Sequence, residues 1–347
     1  MKKTFASVIL AAMLTLTACT SAADNEKKPD TTPTETVTET VTEVPTEEVT
    51  EAPTENSTET IIRDISDTKK SLTCYVDGGK IPGLIYLPEG DGPFPATILI
   101  SGLGATYASV ENDAKYLAEN GIAGVIFDCR GYYIGHVTDG KYVEKTPSTC
   151  VTDIMAVTDI ISEYPAIDKD NIFLWGHSYG GLITTLTAAE NPDRFKGLMC
   201  VDPAYFMPDE CRLTYLNDTA IPETDDFDFV IQKHSKELLF IDIFEKMKSY
   251  SNKAIIFTGT DGTNHEVDPR LFERAIECFP DAELNITEGA NHFFTHHREE
   301  LDRLTVEFVK NNSDNIKPLR FSKTYLRSLS RLPYYYAKTR HLLKWRV

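Results

Sequence analysis

Residues 171–181 read "NIFLWGHSYGG", and this stretch decides the fold. It opens on an unbroken apolar run at 172–175, which suits a strand buried on both faces. Gly176, His177, Ser178, Tyr179 and Gly180 follow in the form G-x-S-x-G. "GLITTLTAAE" then carries a helical pattern from 181. The pattern alone is common. Its setting is specific, because strand, sharp turn and helix with a serine at the apex is what a nucleophile elbow requires. So sharp a turn crowds the side chains two before and two after the serine, which explains glycine at 176 and 180. The Tyr179 N–H then lies at the positive end of a helix, beside the Ser178 hydroxyl. Ser178 is the candidate nucleophile, and a serine hydroxyl needs a base to take its proton.

Outward from this stretch, short apolar runs recur at "LTCYV" (72), "GLIYL" (83), "ATILIS" (96), "IAGVIFD" (122), "GLMCVD" (197), "KAIIFT" (253) and "ELNIT" (283). Helical patterns fall between them near 109–120, 150–164, 180–190, 268–279 and 296–310. This alternation predicts an α/β domain over 63–312, with a mostly parallel sheet covered by helices on both faces. Residues 203–250, rich in acids and aromatics, break the rhythm and read as a lid-like insertion over the sheet's carboxyl edge.

On such a sheet the expected order is serine, acid, histidine. "NITEGANHFFTHHREE" places His292 on a loop between the last strand and the last helix. His296 and His297 fall at the start of that helix, and His177 cannot face its own neighbour within the elbow. His292 is therefore the candidate base. An oxyanion hole needs two backbone donors. Tyr179 N–H supplies one, and Leu103 N–H in "SGLGA" after the strand at 96 is the expected second.

These motifs together resemble the α/β-hydrolases, specifically the serine-aminopeptidase-like group and within it the bacterial cinnamoyl (feruloyl) esterases. The resemblance runs from about residue 72 to 310. It rests on "ISGLGA", "FDCRGYYIGH", "DGKYVE", "GHSYGG" and "ITEGANHFF". It implies the α/β-hydrolase fold and a carboxylic ester hydrolase working through an acyl-enzyme, without cofactor or metal. Ser101 departs from the family's usual histidine before Gly102. The acid loop "FTGTDGTNHEVDP" is also irregular. Its acid is expected after the strand at 253, which favours Asp261. Asp202 at the end of "GLMCVD", Asp268 and Glu266 are the alternatives, with Asp268 also suited to cap a helix ahead of Pro269.

The chain has 347 residues and a formal charge of -18. Such acidity argues against general nucleic-acid binding, since phosphates are repelled. Residues 1–18 read as a signal peptide, and Leu16-Thr17-Ala18-Cys19 resembles a lipobox, with Cys19 as the lipid-bearing residue. Residues 19–62 repeat Thr, Glu and Pro with few large apolar side chains, and are expected to form a disordered stalk. Residues 313–347 invert the charge. From Lys317 the tail holds nine Lys or Arg and no acid, a composition suited to an anionic surface. Six cysteines remain after Cys19. Their scatter through a large core predicts mostly unpaired thiols, and no spacing suggests a metal site.

The sequence thus supports a lipid-anchored esterase on the extracytoplasmic face, acting on a small ester substrate. A peptidase or acyltransferase on the same residues, or an inactive binding lipoprotein, are the other readings.

Overall fold

The computed structural model describes residues 61–131, 138–140, 145–215 and 236–314. Ile61 and Ile62, expected to end the disordered stalk, are strand residues, while Cys19, the signal, the stalk up to residue 60 and the basic tail from residue 315 lie outside the described residues. Among them, nine strands form one sheet: β1 (Ile61–Asp64), β2 (Lys69–Val76), β3 (Gly79–Tyr86), β4 (Phe94–Ile100), β5 (Ala123–Phe127), β6 (Ile167–His177), β7 (Gly197–Val201), β8 (Lys253–Asp261) and β9 (Ala282–Asn291). Their order is β1-β2-β3-β5-β4-β6-β7-β8-β9. The first three are antiparallel, with β3 antiparallel to β5, and every pairing from β5 to β9 is parallel. This is the α/β-hydrolase fold. Asp77 and Gly78, both at positive φ, turn β2 into β3, as a two-residue hairpin requires. Strand β1 had no counterpart in the sequence pattern, because its four residues are at most half-buried.

Helices cover both faces: α1 (Glu111–Glu119), α2 (Pro147–Ser162), α3 (Tyr179–Glu190), α4 (Met207–Tyr215), α5 (Ile243–Met247), α6 (Asn264–Val267), α7 (Pro269–Cys278) and α8 (Arg298–Asn312). The strands feed two cores by alternation. Ile172, Leu174, Leu198 and Cys200 pack with α2, α3 and α7, while Phe173, Trp175, Met199 and Val201 pack with α1 and α8. Double-sided burial explains why the central strands read as continuous apolar runs. Helix α3 is buried from Tyr179 to Ala189. Its threonines tolerate this because Thr184, Thr185 and Thr187 donate to the carbonyls of Gly180, Gly181 and Ile183 at 2.9, 2.8 and 2.8 Å.

Part of the stretch read as an insertion belongs to the main core. Leu238, Ile241, Phe244, Met247 and Tyr250 are buried against the α3 face. The described cysteines are free. No helix of the described residues is long and apolar enough to cross a membrane.

The strand order places the site. Strand β4 has β5 on one side and β6 on the other, so the chain changes direction across the sheet there. Open α/β sheets bind ligands outside the carboxyl ends of the strands at such a switch point. The loop after β4 and the turn after β6 meet there.

Candidate active site

Ser178 stands where β6 breaks into α3, with φ 55° and ψ −118°. A serine adopts such a conformation only when its surroundings impose it. Its N–H donates to Val201 O at 2.9 Å, and its carbonyl accepts from Ala204 N–H at 3.0 Å. A Cβ at Gly176 would lie 2.4 Å from Gly180 O, and one at Gly180 would lie 2.3 Å from Ile100 O. Both positions therefore require glycine. The second requirement comes from the end of β4, a neighbour that the local motif does not reveal.

The bonds to Val201 and Ala204 bracket Asp202 and Pro203, so the end of β7 is tied to the backbone of Ser178. Asp202 is fully buried, at φ 41°. Its Oδ1 accepts from the Thr258 hydroxyl at 2.7 Å, and its Oδ2 accepts from Asn264 N–H at 3.1 Å. The same Oδ2 is hydrogen-bonded to His292 Nδ1. Asn264 Nδ2 also donates to Asp202 O at 2.9 Å. A buried carboxylate is tolerable only with such donors.

His292 follows β9 directly. Because a carboxylate only accepts, Nδ1 carries the proton in this bond, which leaves Nε2 as the acceptor. The preceding Asn291 shapes the loop, its Oδ1 accepting from Phe293 N–H at 3.1 Å and Thr295 N–H at 3.0 Å. Phe294, at φ 54°, is buried beyond it.

His177 has a role that sequence reasoning missed. Its Nε2–H donates to His292 O at 2.8 Å, and the two rings stand 4.7 Å apart. Burial, then the neighbouring His292, hold its pKa well below the ordinary histidine range, against the opposing effect of its bond to the His292 carbonyl. His177 is thus a neutral tether for the backbone of His292. No local motif signals this, since the partner lies far along the chain.

The expectation for the acid is corrected. Asp261 is not brought to His292. It ends β8 opposite Asn291, beyond a register shift between Gly259 and Asp261, and its side chain is exposed. The irregularity at Thr260 carries the strand end outward, whereas the positive φ of Asp202 turns its carboxylate into the sheet's edge. Asp268 caps α7, accepting from Arg270 N–H at 3.2 Å. Glu266 is exposed and accepts from Gly262 N–H.

The loop after β4 closes over Ser178. Ala105 N–H donates to Gly102 O at 3.2 Å, and Gly104 takes φ 78°. A Cβ at Gly102 would lie 3.2 Å from Ser178 Cβ, so this loop passes directly against the serine. Leu103, half-buried, follows Gly102, and Tyr179 is the first residue of α3. Both expected oxyanion donors thus belong to segments that border Ser178. Among the described residues, no group of three or more His, Cys, Asp or Glu is placed to share a metal ion. The hollows of about 520 and about 280 Å³ are lined by Ile62, Ile160 and Tyr164 and by Asp77, Arg130 and Thr149 respectively, and neither includes Ser178, Asp202 or His292.

The chain also has likenesses among known proteins. Residues 92–222 match the family model described as serine aminopeptidase, S33. The chain is 32% identical over 121 residues to 2,6-dihydropseudooxynicotine hydrolase of Paenarthrobacter nicotinovorans, a match covering 34% of this chain and 30% of that protein. It is also 32% identical over 129 residues to thiohydrolase aneE of Aspergillus aculeatus, covering 37% of this chain and 39% of that one. The chain therefore spans 30 to 39% of the length of these relatives. Among solved structures it resembles Est1E of Butyrivibrio proteoclasticus with bound ferulic acid. There the TM-score is 0.60 and the identity 23%, over 69% of this chain and 98% of that one.

Proposed function

We propose that this protein is a serine hydrolase that cleaves carboxylic esters through an acyl-enzyme, with Ser178 as nucleophile, His292 as base and Asp202 as the acid that orients it. The observation that carries this reading is the bond from His292 Nδ1 to the buried Asp202 carboxylate, on a strand end that is itself hydrogen-bonded to Ser178.

In this reading, His292 Nε2 takes the Ser178 proton as Oγ attacks the ester carbonyl carbon. The carbonyl oxygen becomes an oxyanion, held by the N–H groups of Leu103 and Tyr179. Collapse of the intermediate breaks the ester C–O bond, and His292 gives its proton to the departing alcohol. Water, deprotonated by His292, then attacks the acyl carbon, and Ser178 leaves with the proton returned. Throughout, the Asp202 charge offsets the positive charge that His292 gains.

A hydroxycinnamoyl or similar acyl group is the proposed substrate class. The sequence motifs support it, and so does the likeness in fold to a protein solved with ferulic acid. The match to the serine aminopeptidase model supports a second reading, a peptidase using the same three side chains. Labelling of Ser178 with a fluorophosphonate tests the nucleophile. Ser178→Ala is expected to lower turnover of 4-nitrophenyl acetate by about 10⁴-fold or more, and hydrolysis at the wild-type rate would defeat the assignment. Feruloyl, acetyl and aminoacyl-peptide substrates then separate the two readings.

The protein is further proposed to be tethered by lipid on Cys19. The support is the position of Leu16-Thr17-Ala18-Cys19 at the end of the apolar run. Cys19→Ala should move the protein out of the membrane fraction, and its retention there at high salt would defeat the single anchor.

A further inference from the structure

Asp128 follows β5 directly and is 1% exposed. Its Oδ1 accepts from Tyr107 N–H at 2.6 Å. Tyr107 opens the short 3-10 helix Tyr107–Val110, whose cap residue Thr106 makes no side-chain bond to it. The carboxylate from the neighbouring strand therefore supplies an acceptor that the segment lacks. That segment is the far end of the loop which begins at Ser101 and lies against Ser178 at Gly102. The other carboxylate oxygen, Oδ2, is buried and has no hydrogen-bond partner among the described residues. A buried oxygen without a donor destabilises the charged form.

We infer that Asp128 is a positioning residue, which in its ionised form anchors the Leu103 loop over Ser178 and on protonation loosens it. The inference rests on the serine-hydrolase reading above. Burial pushes the Asp128 carboxyl up to about 6, against the Tyr107 N–H and the positive charge of Lys145, which both favour ionisation. The other charged groups nearby are already engaged. Arg130 binds Asp153 at 2.8 Å and Asp77 at 3.3 Å, and Glu111 binds Lys115 at 3.0 Å and the Tyr86 hydroxyl. The Tyr107 phenol has its own pKa raised, first by burial and then by the charge of Asp128, so it remains neutral over the working range. Burial also raises the Asp153 carboxyl, against its bonds to Arg130, and Asp128 is the group of this cluster whose bond holds the Tyr107 segment. A carboxylate accepts a backbone N–H about twice as strongly as a neutral oxygen, so the anchor is full above the raised value and weak below it.

The test is the pH dependence of kcat/KM for 4-nitrophenyl acetate in the full chain and in Asp128→Asn. The amide keeps the shape and an acceptor but has no charge, so it reproduces the protonated state at every pH. At pH 8 the variant is expected to be about tenfold slower, the equivalent of about 1.4 kcal/mol. The two curves should converge below about pH 5, where the wild-type carboxyl is itself protonated. Any group common to both proteins contributes equally to the two curves and cancels in the ratio. A ratio that stays constant with pH would overturn the inference, because a merely structural loss has no reason to vanish in acid. If the variant does not fold, the unmodified protein decides. Its acid limb should be steeper than one proton between about pH 5 and 7, and a single-proton limb would overturn the inference. Ser178→Ala in the same assay separates the two levels. Retained hydrolysis defeats the serine-hydrolase reading, whereas an inactive Ser178→Ala with a flat ratio defeats only the role of Asp128.

Discussion

Asp202→Asn, compared with Asp261→Asn, is the sharpest test of the site. Asp202 Oδ2 faces two donors, Asn264 N–H and His292 Nδ1, while Oδ1 faces the Thr258 hydroxyl. An amide at this position can orient in only one comfortable way. Its oxygen must face Asn264 N–H, and its NH2 must face Thr258, whose hydroxyl can accept. In that orientation the oxygen still receives the His292 Nδ1 proton, so the productive tautomer survives. What is lost is the charge. Two unit charges roughly 4 Å apart attract by about 4 kcal/mol at an effective dielectric of about 20. Removing that attraction from the imidazolium formed in the transition state corresponds to about a 10³-fold loss in kcat. Asp261 is exposed, and the carboxylate hydrogen-bonded to His292 is that of Asp202, so Asp261→Asn should stay within about twofold of wild type, as is usual for surface sites. The assay is kcat for an aryl ester, with thermal unfolding run alongside to exclude loss of fold. Equal losses in the two variants, or a larger one at Asp261, would refute the assignment of Asp202.

Two further outcomes follow from the packing. Gly180→Ala drives a methyl into the carbonyls of Ile100 and Ser101, at 2.3 and 2.6 Å. It should destabilise the protein by about 3 kcal/mol, read as a shift in the urea midpoint, and a loss below about 1 kcal/mol would show that the elbow relaxes easily. The second concerns pH. Burial, then the hydrogen bond and charge of Asp113, push the Asp302 carboxyl up to about 8, against the pull of Arg298. A carboxyl raised in the folded state binds more protons there than in the unfolded chain. Stability is therefore expected to fall as pH rises from the ordinary carboxyl range to about 8, and to level off above it. Asp302→Asn should flatten the melting temperature across that window, and an unchanged slope would assign it to other groups.

The sharp turn that carries Ser178 was legible in the sequence because its requirements are local. A buried strand, a turn too sharp for side chains and a helix start all fall within residues 171–190, and sterics at this range depend little on the rest of the molecule. The parallel sheet was legible for a related reason, since strands covered on both faces must be apolar at every position. His292 was legible from chain order and its place after the last strand. Which carboxylate meets His292 was not, because Asp202 and Asp261 both stand at the ends of strands beside one another in the sheet. Their difference lies in direction, which a positive φ at Asp202 and a register shift before Asp261 decide. His177 was equally hidden, since its bond to the His292 carbonyl joins strand ends remote in the chain. Residue order sets which side chains stand at the carboxyl edge of the sheet. Only the tertiary packing of that edge sets which of them meet.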